Sequence, residues 1–329
     1  MINELHLMDN QKGIAKLADK SVKLIIADPP YYKIKGDFDF EFKDFQEYQD
    51  FMENQAKLYK RVLADNGSLF VYGNAENIAY VQVIFDKYFN LENNLVWENT
   101  NPHKQQIRFS PSIRSFAPLT ERILFYSNEV ERTGLEMVDD LYIRHINPFS
   151  VEIKKGMEKY KLKESDFRKL RPSKNGNYTG WCSNIILGQS NPTKEDWELI
   201  NTLIKSNREY EDLRREYEDL RRPFNNKYNY GDVIRHPNYE TSNFDHDTIK
   251  PERLTLDLIE TTTKENDLVL IPFGGSGTEC VCSMRLKRQW VAFENKKKYF
   301  DIALKRINSE YEKTSLFNSL GGRQLQLSA

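Results

Sequence analysis

Two short β-branched runs, each cut off by a turn that neither helix nor strand can continue through, constrain this chain more than any other feature. Val22–Ala27 (V-K-L-I-I-A) has the length and branching of a buried strand, and the prolines of Asp28-Pro29-Pro30-Tyr31 must end it. Asp267–Ile271 (D-L-V-L-I) is a second such strand, followed by the glycine-rich turn Pro272-Phe273-Gly274-Gly275-Ser276-Gly277-Thr278. A helix over Glu279–Leu286 and a strand over Gln289–Phe293 come next, with Glu294 at the strand's end.

The same alternation runs through the first third. Phe45–Leu63 has apolar residues at helical spacing, Asp65-Asn66-Gly67 is a turn signal, and Ser68–Tyr72 is a strand. A helix over Asn77–Phe89 and strands over Asn94–Glu98 and Arg122–Ser127 follow. In the last third, Glu252–Thr263 and Asn295–Tyr311 read as helices, and the tail after Lys313 reads as loose. Strand and helix in alternation imply an α/β sheet.

Between these parts lies a polar, irregular stretch. Within it R-E-Y-E-D-L-R occurs twice in succession, at Arg208–Arg214 and Arg215–Arg221, and predicts a solvated helix from about Thr193 to Arg221. The expected division is therefore 1–129, an inserted module at 130–237, and 238–329.

Charge and composition set outer limits. The chain has 329 residues, with 48 Lys and Arg against 49 Asp and Glu. That balance argues against coating nucleic acid by bulk charge, while leaving a local basic surface open. Lys154–Lys174 is such a stretch, readable as a solvated face or as a phosphate-contacting surface. Asn175–Trp181 reads equally as a base-reading loop or a plain surface loop. The three cysteines, Cys182, Cys280 and Cys282, are a poor disulfide framework, and no metal site is expected. No apolar run approaches the roughly 20 residues of a membrane span, and Met1–Asn10 resembles no targeting segment, so a soluble, cytoplasmic protein is expected.

The chemistry lies at the two strand ends. Strand, glycine turn and helix form a nucleotide-binding arrangement, and an acid about twenty residues on, here Glu294, is placed to hold ribose hydroxyls. Neither the P-loop pattern nor G-x-G-x-x-G is present, which favours a nucleoside ligand without a pyrophosphate, such as S-adenosylmethionine. At the other strand end, Asp28 and the Pro29 carbonyl, held rigid by Pro30, are two fixed acceptors for an exocyclic amine, with Tyr31 placed to stack on its ring. Such acceptors stabilise positive charge developing on nitrogen during methyl transfer.

These motifs, in this order, resemble the β-class amino-group (N6-adenine or N4-cytosine) DNA methyltransferases. D-P-P-Y stands at Asp28–Tyr31, F-x-G-x-G at Phe273–Gly277, and an H-x-x-x-K-P step at His246, Lys250 and Pro251. The resemblance covers Leu24–Glu98 and His246–Tyr299. It implies a Rossmann-like S-adenosylmethionine-dependent methyltransferase sheet with an inserted target-recognition module. Asp28, Pro29, Pro30 and Tyr31 would form the catalytic amine pocket. Asp28, Thr248, Lys250, Pro251, Phe273, Gly275, Ser276, Gly277, Thr278 and Glu294 would line the cofactor site. D-P-P-Y is commoner in the adenine enzymes, which implies N6-adenine in double-stranded DNA, flipped from the stack. N4-cytosine, a non-catalytic partner subunit, and RNA or protein amines are the alternatives. A homodimer and a cognate restriction endonuclease are further expectations of the family. One departure stands out: the family's acid before the motif proline is Ile271 here, removing a polar contact near the methionine end. Gly274, where alanine is commoner, is expected to be a neutral departure.

Overall fold

The structure, a computed structural model of the chain, describes residues 1–33, 39, 41–101, 112, 114–128, 147–171, 180–237 and 249–326, with side chains described as far as 313. It divides into two compact units, Met1–Glu136 with Pro223–Ala329, and Met137–Arg222.

The larger unit is built on eight strands: β1 (Glu4–Leu7), β2 (Val22–Ala27), β3 (Leu63–Asn74), β4 (Asn90–Asn99), β5 (Thr120–Ser127), β6 (Val233–His236), β7 (Leu268–Ile271) and β8 (Gln289–Glu294). Their order across the sheet is β1-β8-β7-β2-β3-β5-β4-β6. Every pairing is parallel except those of β5, which runs antiparallel to both β3 and β4. The central strands are apolar on both faces, as a parallel sheet covered on both sides requires: Val22, Leu24, Ile25, Ile26 and Ala27 of β2 are all buried.

Helices complete the two layers. Among the described residues of this unit they are α1 (Asn10–Ile14), α2 (Phe45–Val62) and α3 (Ile78–Phe85) in the first part. Helix α2 is capped by Asp44, whose carboxylate accepts from the Glu47 amide at 2.9 Å, and it buries the stripe Tyr48, Met52, Ala56, Tyr59 and Val62. It leads β2 to β3 on one side of the sheet.

The smaller unit packs α4 (Pro148–Tyr160), α5 (Glu164–Arg168), α6 (Ser183–Leu187), α7 (Lys194–Ile204) and α8 (Tyr210–Leu220) around Phe149, Ile153, Phe167, Trp197 and Ile200. The larger unit resumes with α9 (Glu252–Thr262), α10 (Thr278–Arg285) and α11 (Lys297–Gln326). Helix α10 leads β7 to β8 on the opposite side from the β2–β3 connection. The chain therefore changes direction between the neighbours β7 and β2. Their carboxyl ends frame the crevice where open α/β sheets bind ligands.

Several sequence expectations are corrected. The middle module is smaller than 130–237, because β6 pairs with β4 and residues 223–237 belong with the sheet. The helix expected over Thr193–Arg221 is two helices. Lys205 turns left-handed at φ 49°, and Asn201 clamps the break through the Ser206 amide at 2.7 Å. The Asp65–Gly67 turn lies inside β3, where pairing jumps from Val22–Leu63 to Leu24–Ser68 and loops out the residues between. The final helix does not stop at Tyr311. No proline interrupts it, and extending a formed helix is far cheaper than starting one. Lys174, the loop 175–179, His246 and Thr248 lie outside the described residues.

Candidate functional site

A cavity of about 780 Å³ opens at the β7–β2 crevice, and both strand-end motifs line it. On the β2 side, four side chains form one polar cluster. Lys250, only 4% exposed, lies 3.1 Å from Asp28 Oδ1 and 2.9 Å from Glu121 Oε2. Its ammonium also donates to the Tyr31 hydroxyl at 2.9 Å, and that hydroxyl donates to Asp28 Oδ1 at 2.6 Å. The Tyr31 amide donates to Asp39, and Asn77 donates to the Tyr31 carbonyl, so the tetrapeptide is held from both flanks.

Burial opposes the charge on Lys250, yet the carboxylates of Asp28 and Glu121 outweigh it and hold the ammonium above its ordinary range. Burial likewise pushes the Asp28 carboxyl up, against the pull of Lys250. Burial, reinforced by the charges of Asp28 and Glu121, keeps Tyr31 a neutral donor. The Tyr31 hydroxyl is thus turned inward onto Asp28, a contact that the expected stacking role did not include.

On the β7 side, Phe273, Gly274, Gly275 and Ser276 line the same cavity. Gly275 is left-handed at φ 49°, and its amide donates to Glu294 Oε2 at 2.9 Å. The Lys296 amide donates to the other Glu294 oxygen at 2.8 Å. Glu294 thereby ties the end of β8 to the glycine turn. Burial raises its pKa, against these amides. A carboxylate, an open backbone turn and an apolar ring in a cavity of this size suit a nucleoside, so the residues present fit S-adenosylmethionine.

Two expected cofactor residues do not line the cavity. Gly277, at φ 78°, is the N-cap of α10, where an added Cβ would lie 3.1 Å from that of Ala303. Pro251 is the N-cap residue of α9. Asp28, Pro29, Pro30, Tyr31, Lys250, Phe273, Gly275, Ser276, Thr278 and Glu294 all line it. Gly274 is less neutral than expected: an added Cβ would lie 3.0 Å from Leu5 Cδ1 and 3.2 Å from the Phe293 carbonyl oxygen.

The structure adds four residues that the sequence did not single out. Glu121, near the start of antiparallel β5, reaches the cluster from a strand whose own segment carries no motif. Arg306 of α11 is buried and donates to Thr278 Oγ1 at 2.8 Å, while pairing with Glu252. Arg285 joins the same Glu252 at 2.6 Å, so α9, α10 and α11 are tied together beside the glycine turn. Glu279, in the first turn of α10, lines the cavity and is buried; desolvation, then the negative charge of Asp28, push its carboxyl to about 7.

In the smaller unit much of the basic stretch is paired. Lys155 meets Glu152, Arg168 meets Glu164, Lys169 meets Asp166, and Arg171 meets Asp196 at 2.6 Å. Among the described residues no group of His, Cys, Asp and Glu forms a metal cluster, and no helix is long and apolar enough to cross a membrane.

The family model described as DNA methylase, of the N6/N4 type, matches residues 22–305. Similar proteins include the Type II methyltransferase M2.LlaDCHI of Lactococcus lactis subsp. cremoris, 26% identical over 91% of this chain and 87% of that protein. The Type II methyltransferase M2.DpnII of Streptococcus pneumoniae is 26% identical over 92% of this chain and 89% of its own. Among solved structures, a Thermus thermophilus DNA modification methylase complexed with S-adenosyl-L-methionine shares the fold at TM-score 0.52 and 17% identity, covering 93% of each chain. The cytosine-N4-specific PvuII DNA methyltransferase does so at TM-score 0.52 and 14% identity, over 94% of this chain and 91% of that one.

Proposed function

We propose that this chain, which belongs to the N6/N4 DNA methylase family and uses S-adenosylmethionine as methyl donor, methylates the N6 amino group of an adenine flipped out of duplex DNA. The observation that carries this reading is the position of Asp28-Pro29-Pro30-Tyr31 at the switch-point cavity, opposite the glycine turn. When bound, the cofactor supplies an electrophilic methyl group on sulfur.

The chain's own groups prepare the nitrogen. An aromatic amine is a poor nucleophile because its lone pair is delocalised into the ring. Asp28 and the Pro29 carbonyl accept its two hydrogens, favour the pyramidal form, and stabilise the positive charge that develops there. The Lys250 ammonium beside Asp28 favours the carboxylate form against burial, the form that accepts from the amine. The proton shed by the methylated nitrogen then has Asp28 as its nearest base.

The smaller unit is the part proposed to read the DNA sequence, and a cognate endonuclease is the partner that a restriction–modification role implies. The test is incubation with methyl-labelled S-adenosylmethionine and unmethylated duplex DNA, followed by digestion to nucleosides. Labelled N6-methyladenine supports the reading. Labelled N4-methylcytosine moves the substrate to the other amino base. No label in DNA, with cofactor still bound, refutes it.

A further inference from the structure

Glu279 has no role in the chemistry described above, yet it faces the same cavity. The residue is 6% exposed and sits in the first turn of α10, directly after the glycine turn. Among the described residues, no side chain donates a hydrogen bond to its carboxylate and no cation is in ion-pair contact with it. The two cations whose fields reach it are committed elsewhere. Lys250 is held by Asp28 and Glu121, and Arg306 by Glu252 and Thr278. A buried carboxylate without a cationic partner is costly to keep ionised. A cationic donor entering the cavity would remove that cost.

We propose that Glu279 is the receptor for the α-ammonium group of bound S-adenosylmethionine. This rests on the cofactor reading above and adds the group that anchors its amino-acid end. The cofactor carries two cations, the sulfonium and the α-ammonium. Only the ammonium has N–H donors to offer this carboxylate, which is served by its own backbone amide and by no side chain among the described residues. It also keeps its charge through the reaction, whereas the sulfonium loses its own. A carboxylate set against the sulfonium would stabilise the reactant more than the transition state and slow the transfer. The α10 N-terminus lies beside Glu279 and favours its ionised form once the cation is in place. Ile271, the position at which the resemblance puts an acid, is fully buried among apolar side chains and does not line the cavity, so this chain presents a carboxylate eight residues later, on the far side of the glycine turn.

The test is calorimetric titration of the full chain and its Glu279→Gln variant with S-adenosylmethionine and two of its analogues. S-adenosylhomocysteine keeps the ammonium and has no sulfonium. Methylthioadenosine keeps the nucleoside thioether and lacks the amino-acid end. The variant is expected to bind S-adenosylhomocysteine about 10- to 100-fold more weakly and methylthioadenosine with unchanged affinity, which also reports an intact nucleoside site. Equal loss for both ligands, or no loss for either, overturns the proposal. So does weakened binding of S-adenosylmethionine with S-adenosylhomocysteine unaffected, which would assign Glu279 to the sulfonium. Failure of the unsubstituted protein to bind either ligand would instead overturn the cofactor reading on which the proposal rests.

Discussion

Replacing Glu279 by Gln should stabilise the cofactor-free protein while weakening its hold on the cofactor, and the gain should depend on pH. In the folded chain the carboxyl ionises near 7 rather than at its ordinary 4.5, chiefly because it is buried and secondly because Asp28 is negative. Below 4.5 the group is protonated in both folded and unfolded chains and costs nothing. As pH rises through that value the unfolded chain ionises first, and folding loses stability until the folded group has ionised as well. Above about 7 the full loss is about 3 kcal/mol. Glutamine has the same shape and no such penalty. The groups around the site are Asp28 at the end of β2, Tyr72 on β3, Lys250 ahead of α9, Arg306 on α11, and the neighbouring Cys280 and Cys282. All are present in both proteins, so the difference between the two isolates position 279. Urea unfolding at about pH 5 and about pH 8 should show the variant's advantage growing by about 2.5 kcal/mol between the two. An advantage that is the same at both pH values would refute the reasoning.

Three further outcomes follow from the site. Asp28→Ala should lower kcat by about 100-fold or more, well beyond any weakening of S-adenosylhomocysteine binding seen by calorimetry; undiminished turnover would sink the acceptor mechanism. Glu121→Gln removes one of the two carboxylates paired with the Lys250 ammonium, and kcat should fall about 10-fold. An unchanged kcat would mean that Glu121 does not position Lys250 for the reaction. Arg306→Ala removes the guanidinium that joins Glu252 to Thr278, and should cost about 3 kcal/mol in urea unfolding; a change below about 0.5 kcal/mol would refute the anchoring of the glycine turn.

The elements nearest the site were the most legible, for a physical reason. Strands β2, β7 and β8 are buried on both faces, so nearly every residue must be apolar, and each ends at a proline or an acid that cannot continue it. The edges were not. Strand β1 is four residues with only partial burial, and β6 is four residues with one buried side chain, too little patterning to stand out from polar chain. Because β6 pairs with β4, the middle unit ends before it, at Arg222. The seven-residue repeat misled differently. Identical sequence gave unlike environments, with Leu213 fully buried and Leu220 at 42% exposure, because the hydrophobic core of that unit ends before the second copy.

At the site, what sequence revealed was the residues that are neighbours along the chain. Asp28 to Tyr31 and Phe273 to Thr278 are contiguous, and their spacing reports backbone geometry directly. Glu121, Arg306 and Glu279 act through pairings that sequence order does not encode. Glu121 reaches Lys250 across 129 positions, and Arg306 reaches Thr278 across 28. Glu279 is the instructive case, since it directly follows the motif and yet reads in sequence as the ordinary start of a helix. An acid in a helix's first turn is ordinarily solvated and favoured there by the helix dipole. Only burial at the crevice floor turns it into a charge awaiting a partner, and burial depends on β2, β7 and the elements that bring Lys250 and Arg306 alongside. A motif therefore locates where a ligand's backbone contacts lie, while the charges that select its ionic groups become visible once distant segments are brought together.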